Sequence, residues 1–249
     1  MPARRPLAAP LGDRLRRASG RSLWLIVPAA LLAAVWAGRL PARADGGALV
    51  LPPPALDVPA SEAPQTAVLA GGCFWGVQGV FEHVRGVQKV LAGYAGGSQS
   101  TADYMTVSGG DTGHAESVQV VFDPKQISYG RILQIFLSVA LDPTEVNRQG
   151  PDEGAQYRSD VFAADPAQQR VAAAYIAQLD RSRAFPRPIA TRVDPLTGFY
   201  PAEAYHQDYL ERHPTQPYIA WNDIPKVESL QRLFPDAYQD KPVLALAGQ

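Results

Sequence analysis

The chain has 249 residues, 46% of them hydrophobic, enough for one well-packed core with appendages. Its formal net charge of −1 hides an asymmetry: the first 44 residues hold eight arginines and one aspartate, a net of +7, which leaves −8 for the rest. An acidic body argues against nucleic acid as a partner, and a single cysteine, Cys73, excludes both an internal disulfide framework and a zinc site built on several thiolates.

The N-terminal segment has a specific layout. Arg4, Arg5, Arg14, Arg16, Arg17 and Arg21 precede an uncharged run over residues 22–38, and Ala42-Arg43-Ala44 follows as an A-x-A cleavage signal. Residues 1–44 therefore read as a secretory signal peptide cut after Ala44, with an uncleaved N-terminal membrane anchor as the alternative. In both cases the body is expected in a periplasmic or other extracytoplasmic space, touching a membrane only if the segment stays attached. Residues 45–65 carry Pro52, Pro53, Pro54, Pro59 and Pro64 and read as an extended linker or a segment draped on the surface. Residues 66–249 are expected to form the folded domain and a long C-terminal tail.

That domain opens on residues 67–84, AVLAGGCFWGVQGVFEHV. The apolar run 67–70 predicts a buried strand, and Gly71-Gly72 breaks it. Phe74, Val77, Phe81 and Val84 then recur at helical spacing. Cys73 falls at the junction. Unpaired N–H groups and the positive helix end predict a thiol that loses its proton more easily than in water; the competing reading is a buried, inert cysteine. Residues 87–95 predict a strand, 96–112 a polar glycine-containing loop, and the alternation of Val118, Val120 and Phe122 a strand stopped by Pro124. Ser128 is expected to cap a helix ended by Asp142-Pro143. A polar loop leads to a short strand at 161–163, and Asp165-Pro166 opens a helix reaching about Arg181. Residues 189–193 predict a further strand, and Pro201 a helix over AEAYHQDYLER. The central order of strand, helix, strand, strand, helix, strand is the split βαβ or ferredoxin-like order. It predicts an α+β fold: an antiparallel sheet with helices on one face, plus extra helices and the tail.

Polar residues gather where periodicity does not explain them: Tyr104, His114, Glu116, Asp152, Tyr157, Tyr205, His206, Asp208 and Tyr209. Each has a plain reading, as a strand-edge glutamate, a half-buried tyrosine or the wet face of a helix. Phe74 starts the apolar helix face, while Trp75 lies off it beside the sulfur.

Read together, the motifs GGCFWG (71–76), GYAGG (93–97), TGHAE (112–116), DPT (142–144), QYRS (156–159) and YHQDYL (205–210) resemble peptide methionine sulfoxide reductase A. The resemblance runs over residues 66–238. It implies that Cys73 is the nucleophile and Glu116 the acid, with Tyr104 and Tyr157 as companions. It further implies that Phe74 and Trp75 receive the substrate methyl group, and that Asp152, His206 and Tyr209 are further site residues. The implied reaction is thiol-dependent reduction of methionine (S)-sulfoxide, free or in peptides, with no bound cofactor and no metal.

Those roles make chemical sense. A sulfoxide oxygen must be protonated as the thiolate attacks sulfur, and a buried carboxyl can hold that proton at neutral pH. Many relatives carry resolving cysteines in the tail, whereas residues 74–249 hold none. The tail is therefore expected to serve packing, and the oxidised Cys73 to need an external thiol: a thioredoxin-like or glutaredoxin-like protein, or a small thiol. Gln78 stands where relatives often have glutamate, which is expected to reduce negative potential near the sulfur slightly. Two rivals remain on residues alone. One is a Cys-His hydrolase or acyltransferase using His114 or His206 oriented by Asp208; the other is a tethered, non-catalytic binding domain with Cys73 merely buried.

Overall fold

The structure is a computed structural model and describes residues 48–246. The signal-peptide or anchor reading of residues 1–44 lies outside the described residues. Among them, no helix is long and apolar enough to cross a membrane.

Strand β1 (Gln65–Gly71) is followed by helix α1 (Phe74–Glu82), then β2 (Val87–Ala95), the single helical turn α2 (Tyr104–Val107) and β3 (Ala115–Phe122). Helix α3 (Tyr129–Ile135) runs on into a π-turn at Phe136–Ala140. Beyond it come a two-residue hairpin, β4 (Arg148–Gln149) with β5 (Asp152–Glu153), and then β6 (Ser159–Ala163). Helix α4 (Pro166–Ser182), β7 (Arg192–Pro195), β8 (Phe199–Pro201), the short α5 (Tyr209–Arg212) and α6 (Ile224–Leu233) complete the chain.

Six strands form one sheet in the order β7-β6-β1-β3-β2-β8. Period-two alternation sorts their side chains. Leu69, Val90, Val118, Val120 and Val161 join the main core with Val77, Val80 and Phe81 of α1, Ile132 of α3 and Tyr175 of α4. Val68, Ala70, Ala95, Ala115 and Phe162 point to the other side and form a smaller cluster with Leu196 and Phe199. β1 is apolar on both faces because both of its faces are covered. This is a mixed α+β fold whose helices supply the main core.

The helix starts follow local chemistry. Ser128 Oγ accepts from Arg131 N–H at 3.2 Å, and Asp165 Oδ1 accepts from Ala167 and Gln168 N–H at 2.7 and 2.9 Å with Pro166 in the first turn. Residues 48–64 lie along α3 and α4: Leu51 is buried, its carbonyl accepts from Gln134 Nε2 at 2.6 Å, and Pro52 O accepts from Tyr175 OH at 2.7 Å.

Three expectations are corrected. The sheet is not purely antiparallel, because α4 carries the chain back to the end where β6 began and β7 pairs parallel to it. The strand expected at 189–193 starts at Arg192, since Ile189 and Ala190 N–H are already taken by Asp180 Oδ1 and Pro143 O. Pro201 does not open a helix; it ends edge strand β8 opposite Gly93, where a residue without an N–H is tolerated. The helix expected there breaks into a 3₁₀ turn at Ala204–His206 and α5, separated by Asp208 at φ 53°. The Gln207 side chain drives the break by leaving the helix to bridge Ala92 N–H, Ala92 O and Ala202 O.

Candidate active site

Cys73 occupies the N-cap position of α1, 8% exposed, and Gly72 before it has φ 86°. That turn needs glycine twice over. The φ is left-handed, and a Cβ there would lie 2.5 Å from Cβ of Gln149. β3 runs two strands away from the sheet edge, and its second residue, Glu116, reaches the start of α1: Glu116 Oε2 accepts from Phe74 N–H at 3.0 Å. An orphan helix donor thereby anchors the carboxyl one residue from the sulfur.

Burial is the main reason that Glu116 is pushed up to about 8; the Phe74 N–H opposes it, while Asp152 and Asp223 push the same way. At neutral pH the carboxyl is mostly protonated. Tyr104 and Tyr157 are raised as well, by burial first and then by Glu116, so both hydroxyls keep their protons. Both are also raised by Cys73, which places them around the same sulfur. The N–H of Tyr104 donates to Glu203 Oε1 at 3.0 Å, and Glu203 Oε2 accepts from Tyr94 OH at 2.9 Å, which ties α2 to the sheet.

The expectation of an easily ionised Cys73 is overturned. Burial, then Glu116 and Asp223, hold the thiol well above its ordinary range; a hydrogen bond from the Trp75 backbone and the charge of Lys226 oppose them without prevailing. Desolvation outweighs the helix end.

The aromatic residues form one continuous wall. Trp75 stacks on Tyr209 with centroids 3.9 Å apart and planes at 10°, and its Nε1–H donates to His206 Nδ1 at 3.1 Å. An indole N–H can only donate, so His206 carries its proton on Nε2. Burial lowers the His206 pKa, which keeps the ring neutral. His206 also meets Phe74 at 5.1 Å and Tyr104 at 4.4 Å. Phe74 is 1% exposed and packs on Tyr94 as well, so it belongs to the core as much as to the wall. Asp152 lines a cavity of about 810 Å³ with Cys73 and accepts from Tyr218 OH. These contacts and electrostatic couplings link Cys73 with Phe74, Trp75, Tyr104, Glu116, Asp152, Tyr157, His206 and Tyr209.

His114 does not share that role. Its Nδ1 accepts from Gly97 N–H at 3.2 Å and its Nε2 meets Ser98 O at 2.9 Å, so both nitrogens brace the loop. Asp208 turns the other way, its carboxylate accepting from Ala245 and Leu246 N–H at 2.8 and 3.0 Å, and so does not orient His206. The hydrolase triad is thus not assembled.

Gln78 has a packing role that a carboxylate could not fill. Its Nε2 donates to Val90 O and Gln207 Oε1 while its Oε1 accepts from Asp208 N–H. The tail is more than packing. Tyr218, Asp223 and Lys226 reach the Cys73 cavity or its wall: Tyr218 meets Trp75 edge-on at 6.1 Å, and Lys226 Nζ pairs with Asp223 Oδ1 at 3.1 Å. The signal that could have found them is the i, i+3 Asp-Lys pair astride Pro225, in a largely apolar stretch over residues 218–227. Among the described residues no group of His, Cys, Asp and Glu could hold a metal ion.

A buried thiol faced by an uncharged carboxyl and hydroxyl donors, with an aromatic wall and no second thiol in the chain, defines a class of site: redox chemistry at one sulfur with proton donation from a neutral acid. The family model for peptide methionine sulfoxide reductase matches residues 65–237, and the chain belongs to that family of oxidoreductases. A peptide methionine sulfoxide reductase MsrA 2 of Mesorhizobium japonicum is 53% identical over 193 residues, covering 78% of this chain and 99% of its own. Another of that name, from Synechocystis sp., is 53% identical over 196 residues, covering 77% and 90%. Among solved structures, reduced Mxr1 from Saccharomyces cerevisiae superposes with a TM-score of 0.57 at 34% identity, over 64% of this chain and 91% of that one. Methionine sulfoxide reductase A of Corynebacterium diphtheriae gives 0.52 at 30%, over 68% and 90%.

Proposed function

We propose that the chain reduces methionine (S)-sulfoxide, free and within polypeptides, with Cys73 as nucleophile and Glu116 as proton donor. The observation that carries the assignment of roles is the Glu116 carboxyl, buried, pushed up to about 8 and bonded to the N–H next to the cysteine.

The reaction follows from that arrangement. The Cys73 sulfur forms a bond to the sulfoxide sulfur while Glu116 gives its proton to the sulfoxide oxygen and takes up the thiol proton. The S–O bond of the substrate and the new S–S bond then break as the protonated oxygen becomes bonded to Cys73, and the electron pair of the S–S bond stays on the methionine sulfur. The net change is thiol plus sulfoxide to sulfenic acid plus thioether: Cys73 loses two electrons and the methionine sulfur gains them. Exchanging one proton for another keeps the site's net charge constant, which matters where charge is poorly solvated. Tyr104 and Tyr157 donate hydrogen bonds to the oxygen as negative charge develops on it. The Phe74, Trp75 and Tyr209 surfaces accept the methyl thioether end and exclude water.

Regeneration needs two external thiol groups, since Cys73 is the chain's only cysteine. The first displaces water from the sulfenic acid to give a mixed disulfide, and the second releases Cys73 as a thiol. A thioredoxin-like or glutaredoxin-like protein or a small thiol would serve; no resident cofactor is called for. The antiparallel inner order β6-β1-β3-β2, with α1 and α3 as its two connecting helices, supports reading the core as a split βαβ unit. The arginine-rich start, uncharged run and A-x-A site support export, so the reductant is sought outside the cytoplasm. A mature chain beginning at Asp45, read by N-terminal sequencing, checks this.

The decisive experiment is mass spectrometry after a single turnover without reductant. Cys73 should gain about 16 Da, one oxygen atom. Methionine released without that addition would remove Cys73 from the nucleophile's role.

A further inference from the structure

Asp223 is wholly buried at the junction between the Ile219–Asp223 turn and α6. Its Oδ1 accepts from Lys226 Nζ at 3.1 Å, and its Oδ2 has no partner. The pair is pressed against the first turn of α1. A Cβ on Gly76, three residues after Cys73, would lie 2.1 Å from Asp223 Oδ1 and 2.9 Å from Lys226 Nζ. Lys226 and Cys73 line the same cavity.

An ion pair whose carboxylate is wholly buried is a poor way to stabilise a fold, because desolvating that charge cancels most of the attraction. The location offers a better reason. From β3, β5, α2, the turns before β4 and β6 and the tail, the acidic groups facing Cys73 or lining its cavity are Glu116, Asp152, Tyr104, Tyr157, Tyr218 and Asp223, with Asp142, Glu145 and Glu228 further round the cavity, all of which become anionic or stay neutral. Lys226 brings a cation to this set; Arg232, lining the same cavity, sits six residues further along α6, about 9 Å of helix away.

We propose that Lys226, tethered by the buried Asp223, is a positioning residue whose ammonium supplies the positive charge against which the Cys73 sulfur becomes anionic. Its charge opposes the burial that keeps the thiol protonated, whereas Asp223 acts in the opposite sense, so the two residues adjust the sulfur from either side. The same cation favours attack by an incoming thiolate on the oxidised Cys73. The proposal rests on Cys73 being the reactive sulfur.

The test is the rate of Cys73 alkylation by iodoacetamide from pH 7 to 10 in the full-length reduced protein. Lys226→Met should slow alkylation about 3- to 10-fold at pH 8, the effect of losing a neighbouring opposite charge. Lys226→Arg should restore the wild-type rate. Asp223→Asn, which keeps an acceptor for the ammonium but removes the negative charge, should speed alkylation. Opposite signs for the two sites are the signature, because general loosening of the fold would move both the same way. A Lys226→Met profile lying on the wild-type curve, or both variants changing in one direction, overturns the proposal. Alkylation requires no sulfoxide, so its outcome is independent of whether Cys73 gains oxygen during turnover.

Discussion

Helix α1 carries a buried carboxyl at each end, and the two are in different situations. At its start, Glu116 reaches in from β3 and accepts the Phe74 N–H, which holds it to about 8. At its end, Glu82 is 0% exposed and receives no backbone N–H, and burial, then the neighbouring Asp208 carboxylate and Glu211, push it well above the carboxylate range. The helix end compounds the contrast, since the C-terminal dipole disfavours a second negative charge where the N-terminal one welcomes it. Burial beside other carboxylates makes a carboxyl neutral. Burial with one backbone donor makes a carboxyl whose proton can be exchanged near neutral pH, as a general acid requires.

The contrast can be broken most directly at the N-terminal end. Cys73→Ser should abolish methionine release in a dithiothreitol-coupled assay, because the nucleophile is gone and no other cysteine can replace it. Next, Glu116→Gln should slow the chemical step about 10²- to 10⁴-fold, measured by rapid quench of a single turnover. The matched variant Glu82→Gln, which replaces a neutral carboxyl by a neutral amide, should keep the step within about 3-fold of wild type, since Glu82 touches nothing that reacts. Equal losses at the two ends would show that buried neutrality, not placement beside Cys73, was what mattered.

The pH dependence sharpens the same comparison. Single-turnover rates should fall as pH rises through about 8, where Glu116 gives up its proton, and that limb should vanish in Glu116→Gln. Stability has the same sign. Both carboxyls bind a proton in the fold that the unfolded chain, near its ordinary value of 4.5, releases; their contributions are complete below about pH 4.5 and decline as pH rises. For Glu116 the decline ends near pH 8, and Glu82, raised in the same direction, adds a decline of the same sign. Urea unfolding at pH 5, 7 and 9 should show a shallower loss in each glutamine variant.

The smallest expected effect is at the wall. Tyr209→Ala removes the ring stacked on Trp75, a contact of about 0.5–1.5 kcal/mol. It should raise KM for methionine sulfoxide by about 2- to 10-fold with little change in the single-turnover rate, read from steady-state curves. A large fall in that rate would assign Tyr209 to the reacting end of the site instead of its rim.

Much of the fold was legible because its signals are local. Alternation marked β3, Ser128 and Asp165-Pro166 marked two helix starts, and the glycine pair before Cys73 placed the thiol at the strand-to-helix junction. Legibility failed where a distant partner overrode local preference. Pro201 belongs to an edge strand because Gly93 pairs with it, and the helix expected after it is interrupted because Gln207 spends its side chain on the backbone of β2. For the site, Glu116 and Cys73 were named from their motifs, whereas Tyr218, Asp223 and Lys226 come from a tail that looked like packing.

By itself the sequence determined the elements and their order, the lone thiol at a helix start and the motif set that marks the family, because short-range sterics, hydrogen bonding and residue identity are written in adjacent positions. Only the tertiary structure decided the protonation of the site. Ionisation depends on how much water is removed and which charges are brought near, and those neighbours lie 43 to 153 positions from Cys73 along the chain. A helix start alone predicts an eager thiolate; the closed fold makes it a thiol beside a neutral acid, awaiting a sulfoxide to exchange protons with.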